Sequence, residues 1–203
     1  QSQSGTTLTA NTVDNTAGSI QTVGTGNLAI NAQGNVLNNN GTLQTNDGAL
    51  TVSAGVIDNS GGGKIIGQNN SSINLVAQTG ALNNQGGTIQ TTNGDLTATA
   101  QSINNTSGTI GTINGGATSL SAIGAVTNAQ GNIQSANGLT INAASLDNTA
   151  GTIQTTNTGD MAITTQGDVV NSGGSLLIKK GKATIKAANV NNSNGGKITA
   201  NNN

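Results

Sequence analysis

The chain has no cysteine, no histidine, no proline and no aromatic residue. Its six basic residues are all lysine and its seven acidic residues all aspartate, so arginine and glutamate are missing too. Without cysteine there is no disulfide framework and no thiol chemistry. Without histidine or arginine, a hydrolase or lyase site lacks its usual partners for clustered carboxylates. A net charge of −1 points to neither nucleic acid nor an anionic membrane as a partner. No apolar run approaches the ~20 residues needed to span a bilayer. The opening QSQSGTTLTA lacks the charged start and apolar stretch of a signal peptide, so either a signal has been removed or this is an interior piece.

What is present is Asn, Gly, Thr and Ser interleaved with aliphatic residues across all 203 positions. Low charge and many polar side chains are also marks of disorder, but a disordered tract has no reason to keep a strict aliphatic spacing. Leu146 to Thr165, LDNTAGTIQTTNTGDMAITT, shows the spacing most clearly. Leu146 is followed two places on by Asn148. Gly151 makes a break. Thr152-Ile153-Gln154 alternates, a polar turn follows, and Met161-Ala162-Ile163 alternates again. One unit therefore holds three short strands and three turns.

With the asparagine two places after an apolar residue as marker, the unit occurs nine times: Asn15, Asn38, Asn59, Asn84, Asn105, Asn128, Asn148, Asn171 and Asn192. Successive markers lie 20 to 25 residues apart, in the range of stacked-repeat architectures. The second run of each unit centres on Ile20, Leu43, Ile65, Ile89, Ile110, Ile133, Ile153, Leu176 or Ile198. The third alternates apolar and outward residues and ends on a small one, as in Leu28-Ile30-Ala32 and Leu139-Ile141-Ala143. Length variation falls in the turns, such as Gly61-Gly62-Gly63, Gly67 to Ser72 and Ile113 to Thr118.

A sandwich would require a switch of pattern between its two sheets, and none is found. The prediction is an all-β, right-handed parallel β-helix of about nine coils of roughly 22 residues, with three sheets around an aliphatic core. Residues 1–203 form one such segment, in which residues 1 to 12 are the tail of an earlier unit and the last copy stops within its second run after Ile198. With no cap at either end, the segment is expected to be an interior fragment of a longer protein. Alternation turns Leu146 inward, Asp147 outward and Asn148 inward again. The nine asparagines are therefore candidates for a structural amide ladder, each paired with its equivalent one coil away. The alternative is that asparagine is simply common in turns.

The units VDNTAGSIQT, LNNQGGTIQT, INNTSGTIGT and LDNTAGTIQT, with the following half ANGLTINA, resemble the repeats of filamentous haemagglutinins and related large exoproteins of Gram-negative two-partner secretion systems. That family includes adhesins and the stick-like toxin-delivery proteins of contact-dependent growth inhibition. The resemblance runs from Val13 to Ala200. It implies a secreted or surface-exposed shaft, an outer-membrane transporter as the parent protein's secretion partner, and a host or bacterial surface receptor or glycan as a possible contact.

No catalytic, cofactor or metal site is predicted. Asp14, Asp58 and Asp147 share the outward position beside the marker, but Asp14 and Asp58 would lie about two strand spacings, ~10 Å, apart, too far for a tight dyad. The glycines lack the acids of a calcium repeat and lead into no helix. Lys179, Lys180, Lys182, Lys186 and Lys197 gather late in the chain. They are open to three readings: contact with an anionic surface, a solvated patch on one side of the rod, or protection against edge-to-edge association. Outward Thr42, Thr88, Thr109 and Thr152 suggest a flat threonine row, interrupted by Lys64 and Asn132.

Overall fold

Two-residue alternation in a chain of β-branched and small residues gives short strands that bury one face. The computed structural model describes residues 1–201, and among these every regular element is a strand. Each coil contributes one strand to each of three sheets. Sheet I takes the long strands, from Thr6–Ala10 and Leu28–Ala32 to Ala183–Lys186. Sheet II takes the short ones, from Val13–Asp14 to Val190–Asn191. Sheet III takes four-residue strands, from Ser19–Thr22 to Lys197–Ala200. Every sheet has nine strands, each paired with its equivalent in the next coil, and pairing is parallel throughout, as between Leu28–Ala32 and Leu50–Ala54. The molecule is a β-solenoid of about nine coils of roughly 22 residues.

Register holds although coil length does not. Ile65 lies opposite Ile89 across the longest coil, and Ile133 opposite Ile153 across the shortest. A one-residue slip in a strand would turn its apolar side chains to solvent, so the extra residues collect in the corners. The inner faces meet in a single core. Leu50, Val52, Ile57 and Ile65, from one coil, are all fully buried. Of the adjacent apolar residues Ala81 and Leu82 before the marker Asn84, Leu82 is the buried one. Thr118 replaces an aliphatic in the core row of sheet I, opposite Leu96 and Leu139, and satisfies its hydroxyl by donating to the Gln134 carbonyl at 2.8 Å. In the last coil, Val190 and Ile198 remain 48% and 40% exposed, covered from one side only.

The lysines do not form a patch on one side. Lys197 opens a strand of sheet III, Lys186 closes one of sheet I, and Lys179, Lys180 and Lys182 lie in the corner joining these sheets. Alternation and corner geometry send each outward separately, so the charge spreads over two faces.

Candidate functional site

Between sheet II and sheet III the chain turns by one device, repeated in every coil. The marker asparagine starts a four-residue turn in which its carbonyl accepts the N–H of a glycine three places on. Gly151 donates to Asn148 at 3.1 Å, and Gly131 to Asn128 at 3.0 Å. In the coils of Asn59 and Asn192 one extra residue intervenes, and Gly63 and Gly196 donate to Ser60 and Ser193 instead. The residue two places after the marker takes the left-handed conformation. Ala17, Asn40, Ser107, Gln130, Ala150 and Asn194 do so at φ 53–57°, and Gly61, Gly86 and Gly173 at 64–65°. Non-glycine residues visit this region at a cost of roughly 1–2 kcal/mol each.

The glycine that follows has a different task. A Cβ on Gly151 would overlap the Asn128 carbonyl oxygen of the preceding coil and lie 2.6 Å from Asn148 Oδ1. The same clash recurs at Gly41, Gly87, Gly108, Gly131 and Gly174. Glycine is required here because two coils approach closely beside a side-chain amide, not because of its φ.

That close approach brings the asparagines together. Asn15 donates from Nδ2 to Asn38 Oδ1 at 2.7 Å. The same bond runs from Asn38 to Asn59, Asn84, Asn105, Asn128, Asn148, Asn171 and Asn192 in turn, at 2.6–2.7 Å. Asn38 through Asn171 are fully buried, Asn15 is 6% exposed, and Asn192 is exposed in the last coil. Each amide also reaches the backbone. Asn128 Nδ2 lies 3.2 Å from the Gly131 carbonyl in its own turn and 3.1 Å from the Thr152 carbonyl in the next coil. The buried amides therefore leave neither donor nor acceptor unpaired, and all their dipoles point the same way along the rod.

The family model for the haemagglutinin repeat matches residues 1–40, 115–173 and 174–203, well over half of the chain. The chain belongs to the haemagglutinin repeat family. No curated protein and no solved structure matches it. Membership and the solenoid together fit a filamentous haemagglutinin-type repeat region, and the family is one of structural and adhesive proteins.

Within the haemagglutinin repeat, the outward residue before six of the nine markers has a role that alternation alone does not disclose. Asp14, Asp58 and Asp147 accept the backbone N–H two places on, from Thr16 at 2.9 Å, Ser60 at 3.1 Å and Thr149 at 2.9 Å. Asn83, Asn104 and Asn191 do the same for Gln85, Thr106 and Ser193. This is an Asx cap on the turn, and the pair Asp/Asn-Asn in these six units is its sequence signal; Leu37, Thr127 and Val170 stand there in the other three. The Thr16 hydroxyl and N–H hold the Asp14 carboxyl below its usual range. For Asp58, burial pushes the pKa up, but hydrogen bonds from Asn39, Ser60 and Asn83 outweigh it and the net shift is downward.

The other carboxylates are similarly engaged. Asp95 and Asp160 accept the backbone N–H of Ala117 and Lys182 one coil on, both at 2.8 Å, as Asn27 does for Ala49. Asp47 and Asp168 accept from the amides of Asn69 and Asn189. Five of the seven aspartates thus stitch neighbouring coils while Asp14 and Asp147 hold their own turns, and no group of three or more metal-ligating side chains gathers among the described residues. Pairing on sheet III places Lys64 between Thr42 and Thr88, and Asn132 between Thr109 and Thr152, so the threonine row is broken as its sequence indicates.

Proposed function

We propose that this chain is a length of shaft in a large secreted or cell-surface exoprotein of a Gram-negative bacterium. It holds adhesive or toxin-delivery regions away from the cell, and the parent protein leaves through an outer-membrane transporter. The observation that carries this reading is axial continuity. Three sheets of nine strands and an unbroken file of side-chain amides join every coil to the next. Such a repeat keeps its direction over any number of coils, because each depends only on its neighbours. Every acidic side chain is engaged in holding a turn or joining two coils, which is what a spacer needs and a reactive surface does not.

The test is removal of one whole coil, Gln85–Asn105, from the parent protein. This joins Asn84 to Thr106 and preserves marker register. A shaft becomes about 4.8 Å shorter and still presents its distal regions. In parallel, the isolated chain is applied to a glycan array and to candidate receptor cells. Specific binding lost on altering one side face would replace the shaft reading with that of a direct adhesin.

A further inference from the structure

Five Asn-Gly pairs occur in the chain: Asn40-Gly41, Asn93-Gly94, Asn114-Gly115, Asn137-Gly138 and Asn194-Gly195. In such a pair the glycine amide nitrogen can attack the asparagine side-chain carbonyl, provided that nitrogen and that side chain are free and the glycine peptide can turn. The fold treats the five differently.

At Asn40 the Gly41 N–H donates to Asn38 at 3.0 Å, and Gly41 is wedged against the amide file. At Asn114 the Gly115 N–H donates to Thr92 at 3.2 Å, and the Asn114 carbonyl accepts from Asn157 at 3.0 Å. At Asn93 the glycine lies so close to the Ser71 and Ser72 backbone that even a Cβ would overlap it, and its peptide cannot swing. At Asn194 the side chain is occupied, donating to Ser172 Oγ at 2.7 Å.

Asn137-Gly138 is less restrained, although Gly159 of the next coil packs against its peptide, so that a Cβ on Gly159 would lie 2.5 Å from Gly138 N. Asn137 is exposed. Among the described residues its side chain makes no hydrogen bond and the Gly138 N–H finds no acceptor. The nearest atom to a Cβ on Gly138 is the Asp160 carbonyl oxygen, at 3.7 Å. Meanwhile the Asn137 N–H is held by Gly116 at 3.0 Å, and the Gly138 carbonyl accepts from Ser135 Oγ at 2.8 Å. The flanking backbone is fixed by hydrogen bonds while the two reacting groups have none.

We propose that Asn137-Gly138 is a site of spontaneous deamidation through a cyclic imide, and that the other four pairs are protected by the fold. The Gly138 nitrogen gives up its proton and forms a bond to Asn137 Cγ. The Cγ–Nδ2 bond breaks and ammonia leaves with that proton. Water then opens the imide at either carbonyl, giving an aspartyl or an isoaspartyl residue at position 137. Both products add one negative charge. The isoaspartyl form also lengthens the main chain by one carbon, in a corner, where coil length already varies without disturbing strand register.

The test is peptide mapping by mass spectrometry of the intact chain aged at mildly alkaline pH, folded and in denaturant. In the folded chain, conversion at Asn137 should exceed that at any other pair by about tenfold, equivalent to 1.36 kcal/mol of barrier. In denaturant the five rates should converge. Gly138→Ala, which the space around Cβ admits, should slow conversion and leave the melting temperature unchanged. A folded chain in which another pair converts as fast as Asn137 would overturn the proposal. So would a lead at Asn137 that persists in denaturant, since the fold would then not be its cause.

Discussion

Replacing Asn148 by leucine takes a donor from Asn171 Oδ1 and an acceptor from Asn128 Nδ2, both buried. A buried polar group left without its partner costs about 1–3 kcal/mol. Asn142, on the outer face of sheet I, is exposed, and leucine there should change stability little. Denaturant midpoints of the two variants measure the difference, and equal midpoints would mean that the amide file contributes nothing to stability. The neighbours Gly86 and Gly87 give a second contrast. Gly86 has φ 65° and nothing within 4 Å of a Cβ, whereas a Cβ on Gly87 would overlap the Asn59 carbonyl. Ala17 and Ala150 already occupy the position equivalent to Gly86 in other coils. Gly86→Ala should therefore cost about 1 kcal/mol, and Gly87→Ala about 3 kcal/mol or more, as read from urea unfolding.

That contrast shows where the sequence misleads. A glycine after a turn-prone pair suggests the left-handed position, yet that position belongs to the residue before it, and this glycine is needed for contact between coils. Such a contact joins residues more than twenty apart, and no local pattern reports it. The inward direction of the asparagines was legible, because it follows from alternation with the apolar residue two places earlier. The Asx cap was visible as a pair of residues but not as a hydrogen bond. Asn157, in the polar turn after Gln154, is exposed but also reaches over the short corner of the preceding coil to the Asn114 carbonyl. That bond depends on one coil being shorter than its neighbours in three dimensions.

For strands and corners the pattern said more. The aliphatic rows are legible because period-two alternation and the repeat fix them independently, and both give the same register. Corners carry no such double constraint. One extra glycine inserted between Asn69 and Asn70, in the corner after Lys64–Gly67, should be absorbed with little loss of stability. The same insertion between Ile153 and Gln154 would turn half of the strand Thr152–Thr155 inside out. Its cost should be several kcal/mol, since either Ile153 would reach water at ~1.5–3 kcal/mol or Gln154 would enter the core without partners at about 1–3 kcal/mol, with the sheet pairing broken as well. Circular dichroism with urea titration separates the two, and similar losses would show that corners are as constrained as strands.

Over the whole molecule, every coil between the first and last is hydrogen-bonded on both sides. Stability should follow that arrangement. Amide hydrogen exchange is expected to be slowest around Asn84 to Asn128 and to quicken toward Val190 and Ile198, whose side chains are half-covered. Uniform protection along the chain would contradict it.

The axial direction of all these bonds has a mechanical consequence. When the rod is pulled lengthwise, its coil interfaces act as springs in series, and each carries the full tension. The outermost coil has only one interface, so it peels first, and the amide bond at that level opens with it. Each peeled coil of about 22 residues releases roughly 70 Å of extended chain, while the coils behind it remain intact. Under load the rod pays out slack one coil at a time instead of snapping.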